Sequence, residues 1–373
     1  MKITMVTSKF QELVNKSIKG SSNNKMIPIT GLMSIELKDN VLILTTTDAA
    51  NTLRVIENKV EGSDFYIVVQ SDLFSKLIAK TTSEKITLKL KENSLEVKGN
   101  GIYNIELPLD EEGDLIIFPN IDTDFNDVKK TKVNLSTIKT ILLSNKAALA
   151  ETMEIPCLTG YLNTKEGVIT TDTFKVCHNG NAISKDKILF TSEMINLFSV
   201  FNTEHIDMQR TDNTILFSTP GVEIFGYELD EIEEYPLEAI KGFLEVDFPS
   251  SCKLPKAAIL SVLDRLGLFI STYQTNGVYL TFEKKGIRLS TPKSKGSELI
   301  NFQSSIDFSE YSCLIDIELL RSQINAVSED MIEMYYGNPK AIKIISGKIT
   351  QVIALLEDGN DMEENSQQEE DEE

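Results

Sequence analysis

The sequence predicts an α+β fold of three repeated domains, each made of antiparallel sheets with two helices. Three observations carry that prediction. SEKITLKL at 83–90, TEHIDMQR at 203–210 and SEDMIEMY at 328–335 share an acidic residue, Ile two positions on, and Leu or Met two further. Their isoleucines, Ile86, Ile206 and Ile332, lie 120 and then 126 residues apart. A glycine turn follows each isoleucine at a distance of 15 residues, at Gly101, Gly221 and Gly347, and alternating strands on either side read as hairpins. A helical pattern stands just before each acidic signal.

Each unit runs in the order helix, hairpin, strand material, helix, hairpin. The opening helices are expected over 7–19, 135–149 and 255–267. The first hairpins fall in 29–48, 158–172 and 275–292, each with a glycine, an alternating strand, a polar turn and a second strand. The second helices cover 71–82, 191–202 and 317–328, with cap signals at Ser71 and at Thr191 or Ser192. Six anchors recurring in one order define an internal repeat. The boundaries are 1–125, 126–246 and 247–356, followed by a tail over 357–373.

The tail, EDGNDMEENSQQEEDEE, carries ten acids and no base, and reads as disordered. It supplies half of the net charge of −20. Against that background the six helix windows hold ten Lys/Arg and five Asp/Glu. At 100° per residue Lys9, Lys16 and Lys19 project opposite Phe10, Leu13 and Val14. Lys76 and Lys80 oppose Leu73, Phe74 and Leu77, and Lys139 and Lys146 share a row. Lys256, Arg265 and Arg321 complete the set. Positive helices on a negative body point to a phosphate-facing surface. No aromatic interleaving suits single strands, and no Arg/Asn/Gln cluster suits base edges. What remains is weak, sequence-independent attraction to duplex backbone.

Catalytic signals are missing from the sequence: it has no G-x-x-x-x-G-K-[ST], H-E-x-x-H or G-x-S-x-G. His178 is expected in a turn and His205 on a strand, neither as a metal ligand. DTDFND at 122–127 has Asp127 where a calcium loop needs glycine and Val133 where it needs glutamate, so it reads as a linker. The expectation is no cofactor, no metal and no enzyme activity. An enzyme would depend on an Asp/Glu pair that nothing singles out. A repeat scaffold unrelated to DNA would explain the repeats but not the basic helices. The four cysteines form no C-x-x-C pair and read as buried reduced thiols, which fits the cytoplasm. MKITMVTSKFQELV has no apolar leader core, and no stretch approaches the roughly 18 apolar residues of a spanning helix.

PITGLMSIELKDNVLILTTTDAANTLRV (28–55), TTDTFKVC (170–177), GIYNIELP with its nearby FPN (101–120) and YSCLIDIELLRSQINAV (311–327) resemble the bacterial DNA sliding clamps, the beta subunits of the replicative DNA polymerase III holoenzyme. The resemblance covers about 1–356. It implies a processivity factor: a head-to-tail homodimer of six domains closed into a ring around duplex DNA, with helices on the hole. Implied interface positions are Ile102, Tyr103 and Ile105 in the first domain and Leu268 and Phe269 in the third. A hydrophobic cleft for partner peptides is implied at Leu158, Thr171, Thr173, Phe174, Lys175, Val176, Pro236, Ile240, Val352, Ala354 and Leu355. Implied partners are double-stranded DNA, the polymerase catalytic subunit, an ATP-dependent clamp loader and other proteins carrying a clamp-binding motif. Thr173 and Phe174 replace the small residue and histidine usual after the TD pair, and ALLEDGND replaces the usual Met-Pro-Met-Arg-Leu ending. The alternatives are a non-enzymatic repeat scaffold and a divergent clamp copy not used in main replication.

Overall fold

A computed structural model describes residues 1–357 apart from 23, 111, 115, 120–123, 213, 271–275, 293–294, 302 and 305–308, with backbone alone for 303 and 304. The acidic tail beyond Glu357, and Asp122 and Thr123 of the linker run, lie outside the described residues. Seven α-helices occur among those described: α1 Thr7–Ser17, α2 Ser71–Ala79, α3 Leu135–Asn145, α4 Ser192–Asn196, α5 Leu237–Leu244, α6 Lys256–Gly267 and α7 Ile317–Asn325. Six of them match the six expected windows. α5 has no counterpart in the sequence expectations.

The chain divides into two compact units, 1–138 with 190–228, and 139–189 with 229–373. The first unit holds a four-stranded sheet in the order Lys2–Val6, Lys85–Leu90, Ser94–Lys98, Ile102–Glu106. Its eight-stranded sheet runs Phe65–Gln70, Leu32–Lys38, Val41–Thr47, Asn51–Asn58, Val222–Tyr227, Thr214–Thr219, His205–Arg210, Thr131–Asn134. The middle of that order is a junction: Val222 through Gly226 pair antiparallel with Val55 through Asn51. A strand of the second repeat therefore continues a sheet of the first. α1 buries Phe10, Leu13 and Val14 as its spacing predicts, whereas α2 buries Phe74 and Ile78 and leaves Leu73, expected on its apolar face, 53% exposed. Phe10 and Phe74 are buried edge to face, their ring centroids 6.1 Å apart. Phe125, from the linker run, packs on Leu216 and Phe225.

The second unit repeats the plan. Its nine-stranded sheet runs Ile188–Phe190, Tyr161–Thr164, Gly167–Thr171, Lys175–Asn179, Ile349–Ala354, Ala341–Ser346, Met331–Tyr336, Ser250–Pro255, Gln303–Ser304. The junction here pairs Lys175–Asn179 with Ile353–Ile349, joining the second repeat to the third. A four-stranded sheet follows, Ser297–Asn301, Gly286–Ser290, Gly277–Glu283, Tyr311–Asp316. Phe282 and Tyr336 stack with centroids 3.7 Å apart and bind the two sheets into one core. The division into two units passes through the second repeat because each of its sheets is continuous with a neighbour's.

Two local expectations are corrected. His178 sits within Lys175–Asn179, half-buried, and not in a turn. Ser71 is the first residue of α2 rather than its cap, and its hydroxyl donates to the Gly31 carbonyl at 2.8 Å. Thr191 does cap α4, accepting from the Met194 amide at 3.1 Å. The Asp316 carboxylate caps α7 through the amides of Glu318 and Leu319 at 2.8 and 3.0 Å. Asp316→Ala is expected to cost about 1 kcal/mol in urea unfolding, from the lost cap and the lost charge at the helix N-terminus. The four cysteines are buried and unpaired, and burial pushes the Cys177, Cys252 and Cys313 thiols up to about 12. No described helix is long and apolar enough to cross a membrane.

Candidate functional site

A concave apolar site forms in the second unit around a single turn. Strand Gly167–Thr171 leads into Asp172, Thr173 and Phe174, and strand Lys175–Asn179 leads out. The Asp172 carboxylate accepts from the amides of Phe174 and Lys175 at 3.0 and 2.9 Å. The Thr171 hydroxyl donates to the Lys175 carbonyl at 2.8 Å. These bonds hold Thr173 at φ +81°, a left-handed conformation in which a β-branched residue is strained. The same turn occurs in the first repeat, where the Asp48 carboxylate accepts from the amides of Ala50 and Asn51 and Ala49 sits at φ +83°. The strain at Thr173 is thus inherited geometry with a less suitable residue placed in it.

On one side of the turn Thr171, Thr173, Val176, Pro236, Ala239, Ile240 and Phe243 line a groove of about 310 Å³. α5 forms one wall because Ile240 faces inward onto Leu158, Val176 and Tyr235 while Ala239 stays exposed. The Tyr235 hydroxyl, buried behind it, donates to the Ile169 carbonyl at 3.3 Å. On the other side a hollow of about 390 Å³ is lined by residues including Leu158, Thr173, Phe174 and Lys175. Thr173 borders both, and Phe174 is an exposed ring lining the second.

Eight of the eleven cleft positions therefore meet around this turn. Val352 is fully buried beside Val176, in register with it, and forms floor rather than lining. The Ala354 amide donates to the Phe174 carbonyl at 2.8 Å, which ties the last strand to the turn. Leu355 leaves the cleft: it packs against the third repeat's core and lines a hollow with Tyr279, Tyr311 and Leu314. Lys175 is largely buried and paired with Asp172 at 3.3 Å. α5 contributes Ala239 and Phe243, which sequence reasoning missed. Leu237, Ile240, Phe243 and Leu244 carry the helical spacing that would have found it.

The basic helix residues divide sharply. Lys9 pairs with Glu57 at 2.8 Å, Lys16 with Glu12 at 2.7 Å and Lys76 with Asp72 at 2.8 Å. Arg265 grips Glu298 through two bonds at 2.7 and 2.6 Å, and Arg321 meets Asp264 and Glu318. The Lys256 ammonium donates to the Asn325 and Val327 carbonyls at the end of α7, where it acts as a helix cap. Lys80, Lys139 and Lys146 are exposed with no acidic partner among the described residues, and Lys19 reaches only the carbonyl and hydroxyl of Ser199.

The positions expected at a subunit interface also separate. Ile102 and Tyr103 are 62% and 44% exposed on the last strand of the first unit's four-stranded sheet, whereas Ile105 is buried in its own core. Leu268 and Phe269 are 82% and 53% exposed just after α6. Leu299, not among the expected positions, is 41% exposed on end strand Ser297–Asn301.

Residues 1–117 match the family of DNA polymerase III beta subunit N-terminal domains. No curated protein sequence matches the chain. Among solved structures, the DNA polymerase sliding clamp of Bacillus subtilis is similar with TM-score 0.83 and 17% identity, over 96% of this chain and 99% of that one. The DNA polymerase III beta subunit of Thermotoga maritima gives 0.82 and 17%, over 95% and 99%. The sliding clamp of Pseudomonas aeruginosa bound to griselimycin gives 0.82 and 12%, over 96% and 99%. Over nearly its whole length the chain has the fold of the bacterial DNA polymerase III beta sliding clamps.

Proposed function

We propose that this chain, a sliding-clamp fold opening with a DNA polymerase III beta subunit N-terminal domain, is a DNA polymerase processivity factor that acts as a ring without catalysis of its own. The observation that carries the reading is a pair of matching free edges. The first two repeats each consist of two four-stranded sheets and the third of a four-stranded and a five-stranded one, and the edge of one meets the edge of the next at Asn51–Asn58 with Val222–Tyr227 and at Lys175–Asn179 with Ile349–Ala354. Ser297–Asn301 is the counterpart of the first strand in each pair, and Ile102–Glu106 is the counterpart of the second. Both are end strands of their sheets among the described residues. A free strand edge is a template for pairing, and two copies satisfy these two edges by closing head to tail. The three repeats, bounded at 125/126 and 246/247, then give six domains per ring. Ile102, Tyr103, Leu268, Phe269 and Leu299 would pack across each junction.

Duplex DNA is the sequence-independent partner, met by the helices. Lys19, Lys80, Lys139 and Lys146 supply the unneutralised charge. The remaining basic residues are already engaged by acids or carbonyls, so attraction to phosphate is weak and permits sliding. A closed ring stays on DNA by topology and needs no tight contact. The groove around Thr173 binds apolar anchors of short peptides, tethering the polymerase and other motif-bearing proteins. A separate ATP-dependent loader opens the ring. The buried reduced thiols support a cytoplasmic location.

The test is topological. Loaded on nicked circular DNA, the protein should co-elute with it, and should leave when the circle is cut once. Lys→Glu changes at Lys19, Lys80, Lys139 and Lys146 together should lower loading about tenfold or more at low salt and leave the dimer intact. Equal retention on linear and circular DNA would sink the ring reading.

A further inference from the structure

We infer that the groove beside α5 selects peptides whose apolar anchors are flanked by lysine or arginine. The inference rests on the peptide-cleft reading above and adds the partner's charge. Of the two hollows flanking the Asp172–Phe174 turn, the one against α5 has no charged residue in its lining. The other carries Glu151, Glu154 and Asp172. The Asp172 charge is matched by Lys175 at 3.3 Å. Glu151 and Glu154 are exposed and have no ion-pair partner among the described residues.

More negative charge stands near Cys157, next to Leu158 in the chain. Burial, and then the Glu234 and Glu231 carboxylates, push the Cys157 thiol up, which puts those two acids near the turn that carries Leu158. Neighbouring Glu233 is matched by Lys187 at 3.2 Å, and Glu238 by Lys241 at 3.3 Å, while Glu231 and Glu234 have no ion pair among the described residues. The turn's geometry does not require this. In the first unit the hollow beside the equivalent Asp48 turn is lined by Ile29, Thr47, Ala49, Ala50, Phe225 and Tyr227 among others, with no charged side chain. An apolar slot bordered by unmatched carboxylates is complementary to an apolar anchor followed by a cation. A carboxylate at the same place on a peptide meets like charge.

Three labelled peptides test this on the full chain. They share leucine and phenylalanine anchors and differ only in two flanking residues, lysine, glutamine or glutamate. Fluorescence anisotropy at about 50 mM salt should show the lysine peptide binding about fivefold tighter than the glutamine peptide, and the glutamate peptide weaker by a similar factor. At about 500 mM salt the three should converge, because exposed charges are then screened. Glu151→Gln with Glu154→Gln, two exposed changes that keep the side-chain shape, should erase most of the preference, and adding Glu231→Gln and Glu234→Gln should erase the rest. Equal affinities at low salt would overturn the inference, as would a preference that survives undiminished when all four carboxylates are replaced, since the chain's overall charge would then be its source. If none of the three peptides binds, the cleft reading fails and takes the inference with it. Glutamine-peptide binding without discrimination removes the inference alone.

Discussion

Ile102→Asp should turn the proposed dimer into a monomer, with the mass from light scattering falling from twice 41.7 kDa to 41.7 kDa. Within one chain the change is nearly free, since Ile102 is 62% exposed at the end of its sheet and exposed substitutions usually lie within about 0.5 kcal/mol. Across a junction the same side chain would be buried. Losing the burial of one isoleucine costs about 1.5–3 kcal/mol, and an unpaired carboxylate forced into the contact costs more. A head-to-tail dimer has two identical junctions, so each change acts twice. The dimer dissociation constant is therefore expected to rise about a thousandfold or more, because about 4 kcal/mol is that factor. Leu299→Asp, on the opposite edge, should do the same, and urea midpoints of both variants should match the parent monomer. Ile105 gives the contrast: it is buried in its own core, so Ile105→Asp should unfold the first sheet instead of merely separating subunits. A dimer that survives both Ile102→Asp and Leu299→Asp would mean that these edges are not where the copies meet.

Repetition is what made the fold legible. Three imperfect copies of a strand signal, spaced 120 and 126 residues apart, locate hairpins and helices that a single copy would leave ambiguous. The same reliance on repeats hid α5. LEAIKGFL belongs to a stretch of the second repeat with no equivalent in the others, although its apolar spacing is helical. A helical wheel also placed the basic residues on outward faces correctly while saying nothing of what they meet. Glu57 reaches Lys9 from a strand, and Glu298 reaches Arg265 from another, and such partners are brought together only by the fold. Leu355 was misplaced for a simpler reason. It follows the last strand, Ile349–Ala354, and its amide donates to the Lys340 carbonyl at 2.9 Å, which sets it beside Tyr279 and Leu314 instead of the turn.

Ala239→Trp should abolish peptide capture and leave the ring intact. Ala239 is exposed on α5 yet lines the groove with Val176, Pro236, Ile240 and Phe243, so an indole there fills the space that an anchor would occupy. The groove holds about 310 Å³, room for one or two large side chains. Excluding one well-packed anchor costs about 2–4 kcal/mol, and peptide affinity should fall about a hundredfold. The helix itself should lose only about 0.5 kcal/mol in exchanging alanine for tryptophan. Phe243→Ala approaches the same groove from the opposite direction, removing a wall, and should weaken binding less than the plug does. Primer extension separates this from a DNA-binding defect. Once on circular DNA, the Ala239→Trp protein should stay there as long as the parent, while the polymerase falls off after short products. Lys→Glu changes on the helices should lose both. A plugged groove with undiminished processivity would place the polymerase contact elsewhere on the chain and leave the hollow around Thr173 without the role proposed for it.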